Sequence, residues 1–203
     1  MKHIFNKGSN PTKPTLLLLH GTGGNELDLL PLAKQVDVEA NVLSVRGNVV
    51  ENGMPRFFKR LAEGVFDEED LVFQTKELNE FLDEAAVKYD FNRENIIAIG
   101  YSNGANIAAS LLFHYANALQ GAILHHPMVP RRNITLPNLS NKSVLITAGT
   151  NDPICLPEES KELQTILESA NATADIHWED NGHQLTQTEV TAASDWYAKL
   201  ALN

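Results

Sequence analysis

Residues 95–112 read NIIAIGYSNGANIAASLL. An aliphatic run ends at Gly100, a run rich in alanine and leucine begins after Gly104, and Tyr101, Ser102 and Asn103 are left to make the turn between them. A short apolar run bounded by glycine predicts a strand, and the longer run beyond it predicts a helix. So abrupt a reversal strains the backbone of its central residue and crowds the positions on either side. Glycine is therefore needed two residues before and two residues after. Such a turn exposes the Ser102 hydroxyl at the carboxyl edge of a sheet, with the next backbone N–H and the helix N-terminus aimed at the same point. A buried parallel sheet, and Ser102 as a nucleophile, are the expectations that follow.

Outward from this turn, β-type runs alternate with helical periodicity, the pattern of an α/β fold whose mostly parallel strands are joined by crossovers. Strands are predicted at residues 2–6, 15–19, 42–46, 95–100, 121–125, 143–148 and 173–178, and helices near 26–36, 69–89, 104–117, 157–170 and 186–200. In the second helix Leu71, Leu78, Phe81, Leu82 and Ala85 recur at three- and four-residue spacing, with acids at its start and Lys88 near its end. Stretches 47–68 and 127–142 read as long irregular loops and as candidate pocket walls. No repeat or linker divides the chain, so residues 1–203 are expected to form one domain.

The 203 residues are 43% hydrophobic and 21% charged, the composition of a soluble globular protein. A net charge of −10 argues against nucleic acid or an anionic membrane surface as a partner. The one cysteine, Cys155, cannot form an intramolecular disulfide. No apolar run approaches a bilayer's thickness and the first residues lack a signal-type core, so a cytoplasmic location is expected. A homodimer is compatible with the sequence.

A serine hydroxyl needs a histidine to take its proton, and that histidine needs an acid to hold its tautomer. Downstream of Ser102, the stretch TAGTNDPICLP puts Asp152 in a turn after a strand, and WEDNGHQLT puts His183 between the last strand and the last helix. The order Ser102, Asp152, His183 suits a nucleophile elbow. His177 reads as a strand-face residue, Asp175 and Asp180 as solvated acids and His114 as structural. His126, in the pair His125–His126, competes with His183 as general base and could line the pocket. The loop HGTGG, residues 20–24, and the amide after Ser102 provide oxyanion donors. These are assigned to the backbone of Thr22 and Asn103, with Gly23 as the reserve for Thr22. The same loop does not fit a dinucleotide or phosphate cradle, because Glu26 stands where the third glycine belongs and no Gly-Lys-Ser/Thr follows. No histidine–acid spacing suggests a metal site, and no cofactor is expected.

With these residues assembled, the chain resembles the α/β-hydrolase superfamily, within it the phospholipase/carboxylesterase group that includes acyl-protein thioesterases. The resemblance runs from LLLLHGTGGNE through AIGYSNGAN and GTNDPICLP to NGHQLTQTEV. The stretch VLSVRGNVVENGMPRFFKRLAEGVFDEEDL resembles a bacterial branch, the small MhqD-like and YahD-like hydrolases. It implies a three-layer α/β/α sandwich and a serine carboxylesterase with Ser102, Asp152 and His183 as triad and Thr22 and Asn103 at the oxyanion positions.

Residues 127–143 are too few for a lid, which favours small soluble esters or thioesters over long-chain lipids. Arg46, Arg56 and Arg60 stand beside Phe57 and Phe58 in an otherwise acidic chain. They read either as ion-pair partners of the acids at 67–70 or, for Arg46 or Arg56, as a clamp for a substrate carboxylate, with Phe57 beside it. Two alternatives from other classes are an idle ligand-binding protein on the same fold and a lactone or C–C bond hydrolase using the same triad.

Overall fold

The computed structural model describes residues 1–200. In chain order the elements are β1 (His3–Asn6), β2 (Thr15–Leu19), α1 (Leu30–Val36), β3 (Val42–Val45), β4 (Val49–Glu51), β5 (Met54–Arg56), β6 (Arg60–Ala62), β7 (Val65–Phe66), α2 (Glu68–Tyr89), β8 (Ile96–Tyr101), α3 (Asn103–His114), β9 (Gly121–His125), β10 (Ser143–Gly149), α4 (Pro157–Ser169), β11 (Thr173–Glu179) and α5 (Gln187–Leu200). Seven strands form one sheet in the order β1-β3-β2-β8-β9-β10-β11. All neighbours in it are parallel except β1, which runs antiparallel to β3 at one edge.

The run Leu16–Leu19 shows why the central strands lack alternation. All four leucines are fully buried, with Leu17 and Leu19 in one apolar layer and Leu16 and Leu18 in the other. Successive side chains leave opposite faces of a strand, so a sheet covered on both sides needs apolar residues at every position. The first layer holds α2, α3 and α4, for instance Leu78, Ala108 and Leu163. The second holds α1 and α5, through Leu32, Val190 and Tyr197. Each fully buried leucine contributes about 1.5–3 kcal/mol of gross transfer free energy. Among the described residues no helix is long and apolar enough to cross a membrane.

Three boundaries differ from the sequence expectation for local reasons. The first helix starts at Leu30 rather than near 26, because Asn25 turns the chain by accepting the Leu27 amide at 2.9 Å and Glu26 points inward. The third ends at His114 rather than 117, after which Gln120 joins the sheet through the Ile96 carbonyl. The stretch predicted as irregular at 47–68 carries two small antiparallel hairpins, β4-β5 and β6-β7. The first closes over Asn52 and Gly53, both at positive φ (52° and 79°), the conformation an Asn-Gly hairpin turn adopts.

Candidate active site

Ser102 sits at the junction of β8 and α3 with φ 52° and ψ −113°, a backbone conformation that L residues rarely adopt. The flanking glycines permit it. A Cβ on Gly104 would lie 1.9 Å from the Leu19 carbonyl oxygen, and one on Gly100 would lie 2.5 Å from the Gly104 oxygen. The Ser102 amide donates to the His125 carbonyl at 2.8 Å, and the Ser102 carbonyl accepts from Asn106 at 3.0 Å, so both ends of the turn are tied down.

His183, in the loop between β11 and α5, brings Nε2 to 3.0 Å from Ser102 Oγ and Nδ1 to 2.7 Å from Asp152 Oδ2. A carboxylate only accepts, so Nδ1 carries the proton and Nε2 is left free to accept from the serine. The two loops that meet here are clamped together. Asn151 accepts the Gly182 amide at 2.8 Å and donates to the Asp180 carbonyl at 2.7 Å, while the Tyr101 hydroxyl donates to the His183 carbonyl at 2.6 Å. Gly149 allows this approach, because a Cβ there would come within 2.2 Å of the Gly182 oxygen. Burial raises the Tyr101 hydroxyl to about 12, with Asp152 adding to the effect, so it remains a donor at any working pH.

Asp152 is 2% exposed and its carboxylate is saturated. Oδ1 accepts the amides of Ile154 and Cys155 at 2.8 and 3.0 Å, and Oδ2 faces both His183 and His126, the latter at 3.1 Å. Burial alone would raise its pKa, yet the Cys155 amide, His183 and the Ile154 amide together hold it below the usual carboxylate range. The neighbouring Cys155 is buried, which pushes its thiol well up, and Sγ donates to the His126 carbonyl at 3.2 Å.

On the opposite side lies the loop after β2. His20 accepts the Gly47 amide on Nε2 at 3.1 Å, so its Nδ1 donates to the Gly21 carbonyl at 2.6 Å. Burial lowers its pKa and keeps it neutral. The Gly23 amide, the reserve donor of the sequence expectation, is taken by the Pro55 carbonyl at 2.9 Å. Both Thr22 and Asn103 line the cleft of about 230 Å³ into which Ser102 opens.

The remaining expectations divide. Arg56 lines this cleft: its guanidinium donates to Thr22 Oγ1 at 2.9 Å and to the Phe58 carbonyl at 3.2 Å, and stands 3.4 Å from Glu51. Arg46 does not line it, being paired with the buried Glu26 beside the β1 edge. Phe57 is fully buried beneath the loop, its ring 4.8 Å from that of His20, and the cleft's aromatic side chains are Phe66 and Tyr101 instead. His126 is also fully buried and does not line the cleft, its ring nitrogens facing Asp152 at 3.1 Å and Glu189 at 2.9 Å instead. Nor do the acids at 67–70 hold the arginines: Arg56 and Arg60 share Glu51, whereas Asp70 pairs with Lys59.

Sequence reasoning missed Tyr101 and Asn151, which fix the histidine loop, and Glu189, which lies at 2.9 Å from His126. Tyr101 occupies the variable position of the Gly-x-Ser-x-Gly motif and Asn151 precedes the acid, so adjacency was their only signal. The group His126, Asp152 and His183 has the composition of a metal-ligand set. Both histidines bring Nδ1 within hydrogen-bond distance of one carboxylate oxygen, Asp152 Oδ2, at 2.7 and 3.1 Å.

Comparison with known proteins gives a consistent picture. A family model described as the dienelactone hydrolase family matches residues 58–201. A Bacillus subtilis (strain 168) protein named as a hydrolase, MhqD, is 60% identical over 197 residues, covering 97% of this chain and 98% of its own length. Among solved structures, the Bacillus cereus carboxylesterase superposes with a TM-score of 0.98 at 72% identity, over 98% of this chain and 94% of that one. YahD, solved with malic acid, superposes at 0.94 with 33% identity over 98% of each chain.

Proposed function

Because the chain belongs to the dienelactone hydrolase family and carries the α/β-hydrolase fold, we propose that it is a serine hydrolase cleaving small carboxylic esters or thioesters through an acyl-enzyme on Ser102. The observation that supports this most is the hydrogen-bonded line from Ser102 Oγ through His183 to Asp152, at 3.0 and 2.7 Å. In the proposed reaction Ser102 Oγ attacks the substrate carbonyl carbon as His183 Nε2 takes the hydroxyl proton. The oxyanion lies against the Thr22 and Asn103 amides. His183 then returns the proton to the departing alcohol or thiol, and a water molecule repeats the sequence to free the acid.

The small cleft suits short acyl groups. Arg56, with its cationic edge beside Thr22, is the residue assigned here to a carboxylate on the substrate, and the malic acid of the YahD structure is an acid of that kind. Lactone cleavage is the second reading, favoured by the family description, and it needs no different residues. Hydrolysis of p-nitrophenyl acetate, compared with Ser102→Ala, tests the proposal. Loss of about 10³-fold or more in kcat is expected. Equal rates would remove Ser102 from the chemistry.

A further inference from the structure

Behind the acid lies a polar chain that the proposed reaction does not use. His126, fully buried, directs Nδ1 to Asp152 Oδ2 at 3.1 Å and has Nε2 2.9 Å from Glu189 Oε1, off the axis of an ideal hydrogen bond. Glu189, at the start of α5, also accepts from Thr147 Oγ1 at 2.6 Å and from the Thr186 amide at 2.7 Å. Since Thr147 gives its proton to Glu189, the 2.8 Å contact between Thr147 and His125 has His125 Nδ1 as donor, and burial lowers His125 to about 4, so it is neutral. The other groups packed on His126 are the Tyr101 ring (6.0 Å between centroids), the His183 ring (5.2 Å) and Cys155, which donates to its carbonyl.

Each ring nitrogen of His126 thus meets a carboxylate oxygen. A bare nitrogen lone pair so placed would be repelled by the carboxylate, which favours a proton on both nitrogens and an imidazolium ring. The neighbours agree. Burial opposes the charge, but Glu189 and Asp152 outweigh it and raise the His126 pKa, while His126 and Thr147 outweigh burial at Glu189 and lower it to about 2. The backbone of His126 is held at φ 51° with its amide on the Thr147 carbonyl at 2.7 Å, a left-handed conformation that non-glycine residues rarely adopt. The preceding carbonyl, that of His125, is the one that anchors the Ser102 amide. One short segment therefore braces both the nucleophile turn and the acid.

We propose that His126 is a positioning residue of the hydrolytic site, a buried imidazolium wedged between Asp152 and Glu189 that fixes the Asp152 carboxylate against His183. The inference rests on the assignment of Ser102, Asp152 and His183 made above. Asp152, His126 and Glu189 then carry one net negative charge, and the proton taken up by His183 brings the group to zero inside the protein.

The test begins with the native protein, by heteronuclear NMR of its histidine rings. His126 is expected to show two ring N–H protons at neutral pH and to lose one only at alkaline pH; a single N–H at neutrality would overturn the proposal. His126→Gln alone should be strongly destabilised, because it strands two buried carboxylates. The informative variants are therefore built on Glu189→Gln. Asparagine places its amide nitrogen where Nδ1 lies, and glutamine where Nε2 lies. On p-nitrophenyl acetate, Glu189→Gln with His126→Asn should keep kcat within about threefold of Glu189→Gln alone, whereas Glu189→Gln with His126→Gln should lose about tenfold to a hundredfold in kcat at a nearly unchanged KM. Equal kcat in the two double variants would overturn the assignment. Ser102→Ala in the same assay keeps the questions apart: if it stays active the esterase reading fails, and if it is inactive while the double variants match, only the role of His126 fails.

Discussion

The two walls of the cleft are built on different principles. The wall carrying Ser102, Asp152 and His183 is made of loops at the ends of β8, β10 and β11, where glycines sit in space no Cβ can occupy and the acid accepts four hydrogen bonds. The facing wall is the pair of hairpins from β4 to β7, whose strands expose Val50, Leu61 and Val65 and whose Gly53 has open space around it. The first wall fixes geometry through close packing and saturated polar groups. The second, in the proposed function, presents Arg56 to the substrate from locally folded ribbons. Changes in the first should act on kcat and folding, and changes in the second on KM and selectivity.

The sharpest way to break that comparison is to place the same substitution in both walls. Gly104→Ala drives a methyl to within 1.9 Å of the Leu19 carbonyl oxygen, so the start of α3 and the end of β2 must separate. Expected are a loss of about 3 kcal/mol or more by chemical denaturation and at least about 10²-fold in kcat. Next in size, Asp152→Asn should leave the fold intact and lower kcat by about 10³- to 10⁴-fold in steady-state assays, because the amide no longer selects the His183 tautomer. The exchange also removes a charge beside His126, so an effect on thermal unfolding should accompany it. On the facing wall, Arg56→Ala should raise KM about tenfold or more for a carboxylate-bearing ester and change a neutral one little, measured on paired substrates. A similar loss on both would show that Arg56 only braces Thr22 and Glu51. Smallest of all, Gly53→Ala meets no atom and costs only the left-handed φ of 79°, about 1 kcal/mol, with kcat unchanged.

The contrast also explains what was legible in the sequence. The aliphatic strands and the amphipathic α2 announced the sheet and its layers, and Gly-x-Ser-x-Gly, Asp152 and His183 each followed a predicted strand. Their residue types are demanded by local backbone geometry, so they could be read one segment at a time. The hairpin wall was harder: Asn52-Gly53 is a strong turn signal, but its flanking strands are only three residues long and present no period to count. Contacts across the fold left no mark in either stretch they join. Nothing near Arg46 pointed to Glu26, nothing in Phe57 showed that it would lie beneath the loop, and nothing in Leu124–Met128 showed that His126 would face Glu189 from α5.

The central claim, that Ser102 is an activated nucleophile, is tested most directly by intact-mass spectrometry after exposure to a fluorophosphonate. A single phosphonyl adduct located on Ser102, absent from Ser102→Ala and formed far more slowly in Asp152→Asn, is the predicted result. No adduct on the folded protein, or an adduct on another residue that persists in Ser102→Ala, would contradict it.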